Sequence, residues 1–119
     1  MKNSSVCDCN IIHQHSVKMA VDGMPKDSEK QAVAKIFKVL GDNTRMNIMF
    51  ALLNGEMCVC DISVALSMTK SAISHQLAVL KEVRLVKYER RGKEIFYSVD
   101  DQHVKDVISE ILEHTRHCK

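Results

Sequence analysis

Apolar residues along this chain keep one rhythm for most of its length and change it once. From Ser28 to Val83 they recur at three- and four-residue steps; after Val83 they alternate, and after Asp100 the helical spacing returns. Before Ser28 no period is sustained. That stretch holds Cys7, Cys9, His13 and His15, then Gly23 and the only proline, Pro25. It is expected to be a mobile arm over 1–27 with a short helical piece near 11–20, followed by one folded domain over 28–119. Ser28 reads as a helix N-cap, and Val33, Ile36, Phe37 and Leu40 form the apolar stripe behind it. Gly41 ends that helix, and Asp42 or Asn43 caps a second one that runs to about Asn54 and buries Ile48, Met49, Leu52 and Leu53.

Two short helices follow. The first, near 59–66, presents Ile62, Ala65 and Leu66; the second, about 70–83, buries Ile73, Leu77 and Leu80. Ser67-Met68-Thr69 breaks them, with Thr69 or Ser67 as the second cap, which is the spacing of a helix-turn-helix. Leu85–Glu89 and Ile95–Val99 alternate as strands do, and Arg91-Gly92-Lys93 between them reads as a hairpin turn. A basic hairpin directly after a helix-turn-helix predicts a mainly α winged helix-turn-helix fold with a β-hairpin wing. The last helix starts at Asp100 or Asp101 and carries Val104, Val107, Ile108, Ile111 and Leu112 on one face. Packing on its own domain would use that stripe. A homodimer through the terminal helices is the preferred reading, because the metal geometry below needs a second copy.

Composition narrows the class. The chain has 119 residues, 45% hydrophobic and 27% charged, which fits one soluble domain with a thin core. No apolar run is long enough for a membrane span, and the first ten residues lack the apolar core of a signal peptide. A cytoplasmic, reducing location and no membrane partner are therefore expected, and a disulfide scaffold is disfavoured for the five cysteines.

Net charge is only +2, but its distribution is uneven. Between Lys70 and Glu94 seven basic residues face three acidic ones, a net of +4. That is where a phosphate-facing surface would lie. Lys70 opens the second helix of the motif, and Ser71, Ser74 and His75 share its outer face, offering the hydroxyls and imidazole that reach base edges and phosphates in a major groove. Gln76 is a candidate partner for adenine. Arg90, Arg91 and Lys93 on the wing are placed for phosphate or the minor groove. A merely solvated polar face is common; its coupling to the helix break and the wing favours double-stranded DNA.

Two sets of metal donors stand out. Cys7, Cys9, Cys58 and Cys60 form two Cys-x-Cys pairs, the second at the start of the motif's first helix. A sulfur-rich set selects soft ions: Cd2+, Pb2+ or Zn2+, with cuprous copper and trivalent arsenic or bismuth as further possibilities. Asp61, His13 or His15 are substitute donors, and the arm's origin in the same or the other chain stays open. The second set is Asp101, His103, His114 and His117 on the last helix. His114 and His117 share a face, but His103 and His114 are about 16 Å apart along the axis, so one helix cannot gather all four around one ion. An antiparallel second copy would, forming two equivalent sites suited to Zn2+ or cobalt. Asp101 must then sit at the frayed first turn.

Together these motifs resemble the ArsR/SmtB family of metal-responsive winged-helix repressors over about 30–118. Leu40–Met49 looks like the family's second-helix opening, Glu56–Asp61 like its thiolate box, Ser71–Leu80 like its recognition helix, and Tyr88–Lys93 with Phe96–Ser98 like its wing. The resemblance implies a repressor whose metal-free dimer binds operator DNA and lets go on binding metal, releasing genes for metal efflux or sequestration. It implies that Cys7, Cys9, Cys58 and Cys60 match the cadmium/lead-sensing branch. Asp101, His103, His114 and His117 match the zinc-sensing branch. Carrying both sets departs from members that keep one. So does Gln76 where many members have His, and Arg84 where many have Gly before the first strand. A thiol redox repressor of the same fold and a metal-storage or chaperone protein are the rival readings. An enzyme is not expected: there is no His-Glu-x-x-His, and closed four-ligand sets leave no open position for water.

Overall fold

A computed structural model describes residues 10–117. It divides into two compact units after Gln31. In the first, helix α1 (Gln14–Asp22) starts and ends slightly later than the expected 11–20 piece, and none of its residues is buried. Lys18 and Asp22 pair one turn apart along it. Helix α2 (Asp27–Leu40) begins before the expected cap. Ser28 lies inside the helix; the Glu29 carboxylate instead accepts the Lys26 backbone N–H at 2.9 Å, half of a capping box built two residues earlier.

The second unit runs through the winged helix-turn-helix. Its elements are α3 (Asn43–Leu52), β1 (Met57–Cys58), α4 (Val59–Leu66), α5 (Lys70–Glu82), β2 (Val86–Arg91), β3 (Glu94–Val99) and α6 (Gln102–His117). Asp42 caps α3 by accepting the Arg45 N–H at 3.0 Å. Thr69 caps α5 by accepting the Ala72 N–H at 3.1 Å. Between α4 and α5, Ser67 takes the left-handed conformation with φ 55°, and the Ser63 hydroxyl donates to the Met68 carbonyl.

The sheet departs from expectation in two ways. It has three antiparallel strands in the order β1-β3-β2, the first being the two-residue Met57–Cys58 against Tyr97 and Phe96. A two-residue strand has too few positions to show alternation, so sequence pattern could not reveal it. The hairpin is also tighter than expected: Arg91 is paired with Glu94 and belongs to β2, which leaves Gly92 and Lys93 as the turn. Gly92 has φ 63°, the left-handed value a two-residue hairpin favours.

One core fills the second unit. Ile48, Met49 and Leu52 from α3 meet Ile62 from α4 and Ile73, Leu77 and Leu80 from α5, and Leu85, Val86, Val99 and Ile108 close it. Fully burying each such side chain is worth roughly 1.5–3 kcal/mol, which fixes the angle between the two motif helices. Arg45 adds a polar link that sequence reasoning missed. Its Nε donates to the Val39 carbonyl at 2.7 Å and its Nη1 to the Gln76 Oε1 at 3.1 Å, tying the end of α2 to the middle of α5.

Candidate nucleic-acid interface and metal sites

The outer face of α5 carries Lys70, Ser71, Ser74 and His75, all exposed. The packing of Ile73, Leu77 and Leu80 forces that face outward, because these three occupy the opposite side of the same helix. Gln76 is different. It is half-buried on the flank toward α3, and its amide oxygen is engaged by Arg45. Arginine only donates, so that amide must turn its oxygen inward. A bidentate adenine contact needs the same oxygen, so the geometry argues against Gln76 as a base reader and makes it an anchor for the helix.

The wing cations also divide. Arg90 and Lys93 are exposed. Arg91 is exposed too, but it is paired: its Nη2 donates to Glu56 at 2.9 Å and to Glu89 at 2.8 Å, and its guanidinium lies 4.8 Å from the Phe96 ring centre. Hydrogen bonding to Arg91 holds the Glu56 carboxyl below its usual range, and the two carboxylates push the Arg91 pKa up. A guanidinium so paired must leave these carboxylates to meet a phosphate, which sets Arg91 apart from Arg90 and Lys93. Glu56 had no signal in the sequence beyond its place next to the cysteine box; the β1–β3 pairing brings it to the wing. Lys81 stacks its ammonium 4.4 Å from the Tyr88 ring centre, bracing α5 against β2.

The donor residues fall at three places. Cys58 is buried at the end of β1 and is the N-cap of α4; Cys60 is exposed in the first turn of that helix; both are free thiols. They line one cavity of about 200 Å³. Cys7 and Cys9 lie outside the described residues. On α6, Asp101 is the residue just before the helix: its Oδ1 accepts the Val104 N–H at 3.1 Å and lies 3.6 Å from His103 Nδ1. This is the off-helix position that an Asp-x-His pair requires. His114 and His117 lie at the other end, where His117 Nε2 is 2.7 Å from Glu113 Oε2. Among the described residues of a single copy, no three His, Cys, Asp or Glu side chains gather where they could hold an ion.

Beside this donor-bearing helix lies an open apolar groove of about 290 Å³ between α2, α3 and α6, lined by Phe37, Phe50, Val107 and Ile111 among others. Val33, Phe37, Val107 and Ile111 are each about half exposed. Ile108 alone of the predicted α6 stripe is buried.

This arrangement of a three-residue helix break, an outward polar helix face and a basic hairpin is shared by known proteins. The family model described as "Bacterial regulatory protein, arsR family" matches residues 42–88, which run from the cap of α3 into β2. The chain is 37% identical to a transcriptional repressor SmtB homolog of Synechocystis, over 92% of this chain and 83% of the relative. The chain belongs to the arsR family. It is 38% identical to a cadmium resistance transcriptional regulatory protein CadC homolog of Staphylococcus aureus, over 93% of this chain and 92% of that one. Among solved structures it resembles apo-NmtR, with TM-score 0.68 and 38% identity over 80% of this chain and 81% of that chain. It also resembles a homodimeric winged helix-turn-helix DNA-binding domain from Mycobacterium bovis, with TM-score 0.73 and 25% identity over 79% of this chain and 90% of that one. As an arsR-family member the protein is a DNA-binding transcriptional regulator and not an enzyme. Among the described residues no helix is long and apolar enough to cross a membrane.

Proposed function

We propose that this arsR-family protein is a metal-responsive repressor: its metal-free homodimer binds operator DNA, and Cd2+, Pb2+ or Zn2+ lowers that affinity. The observation that carries the reading is the position of Cys58 and Cys60, two thiols lining one cavity at the start of the first motif helix, inside the DNA-reading unit. Soft divalent ions prefer such donors, and Cys7 and Cys9 would complete the set. The similarity to regulators named for cadmium resistance supports it.

The α6 donors support a second, zinc-type site. Asp101 and His103 at one end and His114 and His117 at the other each offer half of a ligand set. An antiparallel copy seated on the exposed Val107 and Ile111 would bring complementary halves together. Metal acts only by binding two states of the dimer differently. Those states would differ in the spacing of the two α5 helices, which must match successive major grooves. In this reading Lys70, Ser71, Ser74, His75, Arg90 and Lys93 contact DNA.

The test is a binding titration of a duplex selected by the metal-free protein from a random pool, repeated with cadmium and with zinc. Affinity should fall in saturating metal, Cys58→Ser should blunt the cadmium response, and His114→Ala the zinc response. Unchanged affinity in saturating metal would remove the sensor reading while leaving DNA binding intact.

A further inference from the structure

Arg45 joins three helices through one residue. Its backbone N–H is taken by the Asp42 cap at the start of α3. Its Nε donates to the Val39 carbonyl at 2.7 Å and its Nη1 to the Gln76 Oε1 at 3.1 Å. The Val39 carbonyl lies in the last turn of α2, where carbonyls lack intrahelical partners and a cation is favoured. The guanidinium is therefore fixed to backbone on one side and holds Gln76 on the other. Among the described residues this is the one side-chain hydrogen bond that α5 makes to another element.

Most of the remaining hold on α5 is apolar: Ile73, Leu77 and Leu80 are fully buried along one side of the helix. Such contacts keep the helix in place but have no directional preference. A hydrogen bond has one, and it tolerates only a few tenths of an ångström. Lys81 over Tyr88 braces the far end, about 7.5 Å further along the axis. Gln76 directly follows Ser74 and His75, so the Arg45 bond acts at the level of the helix where bases would be read. A helix with its side chains has a radius of about 5–6 Å, so a rotation of about 10° moves the outer atoms of Ser74 and His75 by about 1 Å. That exceeds the tolerance of a hydrogen bond to a base edge.

We propose that Arg45 is a positioning residue for sequence recognition: acting through Gln76, it sets the rotation of α5 and so which bases Ser74 and His75 reach. This rests on the assignment of the outer face of α5 to DNA and adds the device that aims it. Phosphate contacts tolerate a small rotation, because charges act over distance and long basic side chains follow the backbone of the duplex. Base-edge contacts do not, and they alone carry direct sequence readout. Loss of the Arg45–Gln76 bond therefore lowers discrimination between sequences more than it lowers binding to DNA as such.

The experiment uses the full-length metal-free protein and two duplexes of equal length and composition, the one selected from the random pool and a scrambled one. The readout is the ratio of the two affinities, with the active fraction fixed by stoichiometric titration so that loss of folded protein does not enter. Gln76→Met keeps the length of the side chain and removes the acceptor; Arg45→Met removes the donor. Each should lower the ratio at least about tenfold. In Gln76→Met the affinity for the scrambled duplex should change little. The double variant should be no worse than either single one, because the same bond is lost in all three. Gln76→Glu keeps acceptor oxygens for Arg45 and adds a negative charge, so it should weaken both duplexes alike and preserve the ratio. If Arg45→Met does not fold, the two Gln76 variants decide by themselves. A wild-type ratio in Gln76→Met overturns the proposal. So does a Gln76→Glu variant that loses the ratio as Gln76→Met does, which would make Gln76 a direct base contact. Losses that multiply in the double variant overturn it as well, because Arg45 would then act apart from Gln76. A wild type that selects no sequence from the pool removes the assignment of α5 to DNA itself, and this inference with it.

Discussion

Arg84 gives a stability test whose sign is set by backbone geometry. Helix α5 ends in a Schellman turn: the Arg84 N–H donates to the Lys81 carbonyl at 2.9 Å and the Leu85 N–H to the Leu80 carbonyl at 3.0 Å. Leu80 and Leu85, both buried, supply the hydrophobic contact of that motif. The turn requires a left-handed residue at position 84, and Arg84 adopts φ 62°. A side chain with a Cβ costs roughly 1–2 kcal/mol in that conformation. Glycine avoids the clash but loses roughly 0.5–1 kcal/mol more backbone entropy on folding. Arg84 is exposed, so little packing is lost with its side chain. Arg84→Gly should therefore stabilise the fold by about 0.5–1 kcal/mol, a rise in Tm of roughly 2–6 °C for a domain of this size. Arg84→Ala, which keeps the strain and removes the charge, should stay within about 0.5 kcal/mol of the wild type. Urea and thermal unfolding followed by circular dichroism, at one fixed protomer concentration, separates the three proteins. A glycine variant no more stable than the alanine variant would refute the assignment of strain to this residue.

Two further outcomes follow from the caps and the wing. Thr69→Ala removes the hydroxyl that accepts the Ala72 N–H and should cost about 1 kcal/mol in chemical denaturation. Thr69→Ser should restore most of that loss, and an alanine variant as stable as wild type would show that solvent caps α5 equally well. Glu56 has a folded pKa below its ordinary value because of Arg91, so its pairing stabilises the wing above the ordinary carboxylate range. That contribution is lost as pH falls through the depressed value. An NMR titration should find Glu56 ionising at a higher pH in Arg91→Ala than in the wild type, and identical curves would show that Arg91 does not hold it in solution.

Much of this protein could be read along one dimension. The helices announce themselves because their apolar residues repeat with the period of the helix, and Asp42 and Thr69 announce their caps by type and position. Arg84 was legible as an oddity before the structure gave it φ 62°. The spacing along α6 was also legible, since rise per residue alone separates Asp101 and His103 from His114 and His117 by more than an ion can span.

What the chain order could not convey is which side chains meet after folding. The wing arginines look alike in sequence, yet Arg91 is neutralised by Glu56, thirty-five positions away, because a two-residue strand too short to leave a pattern docks on β3. The same docking makes Cys58, Cys60 and Lys93 neighbours. Gln76 loses its freedom to Arg45 across α3 and α5. Local spacing fixes the direction in which a side chain leaves its own helix or strand. Its partners depend on how those elements pack, and packing is settled by the buried core as a whole.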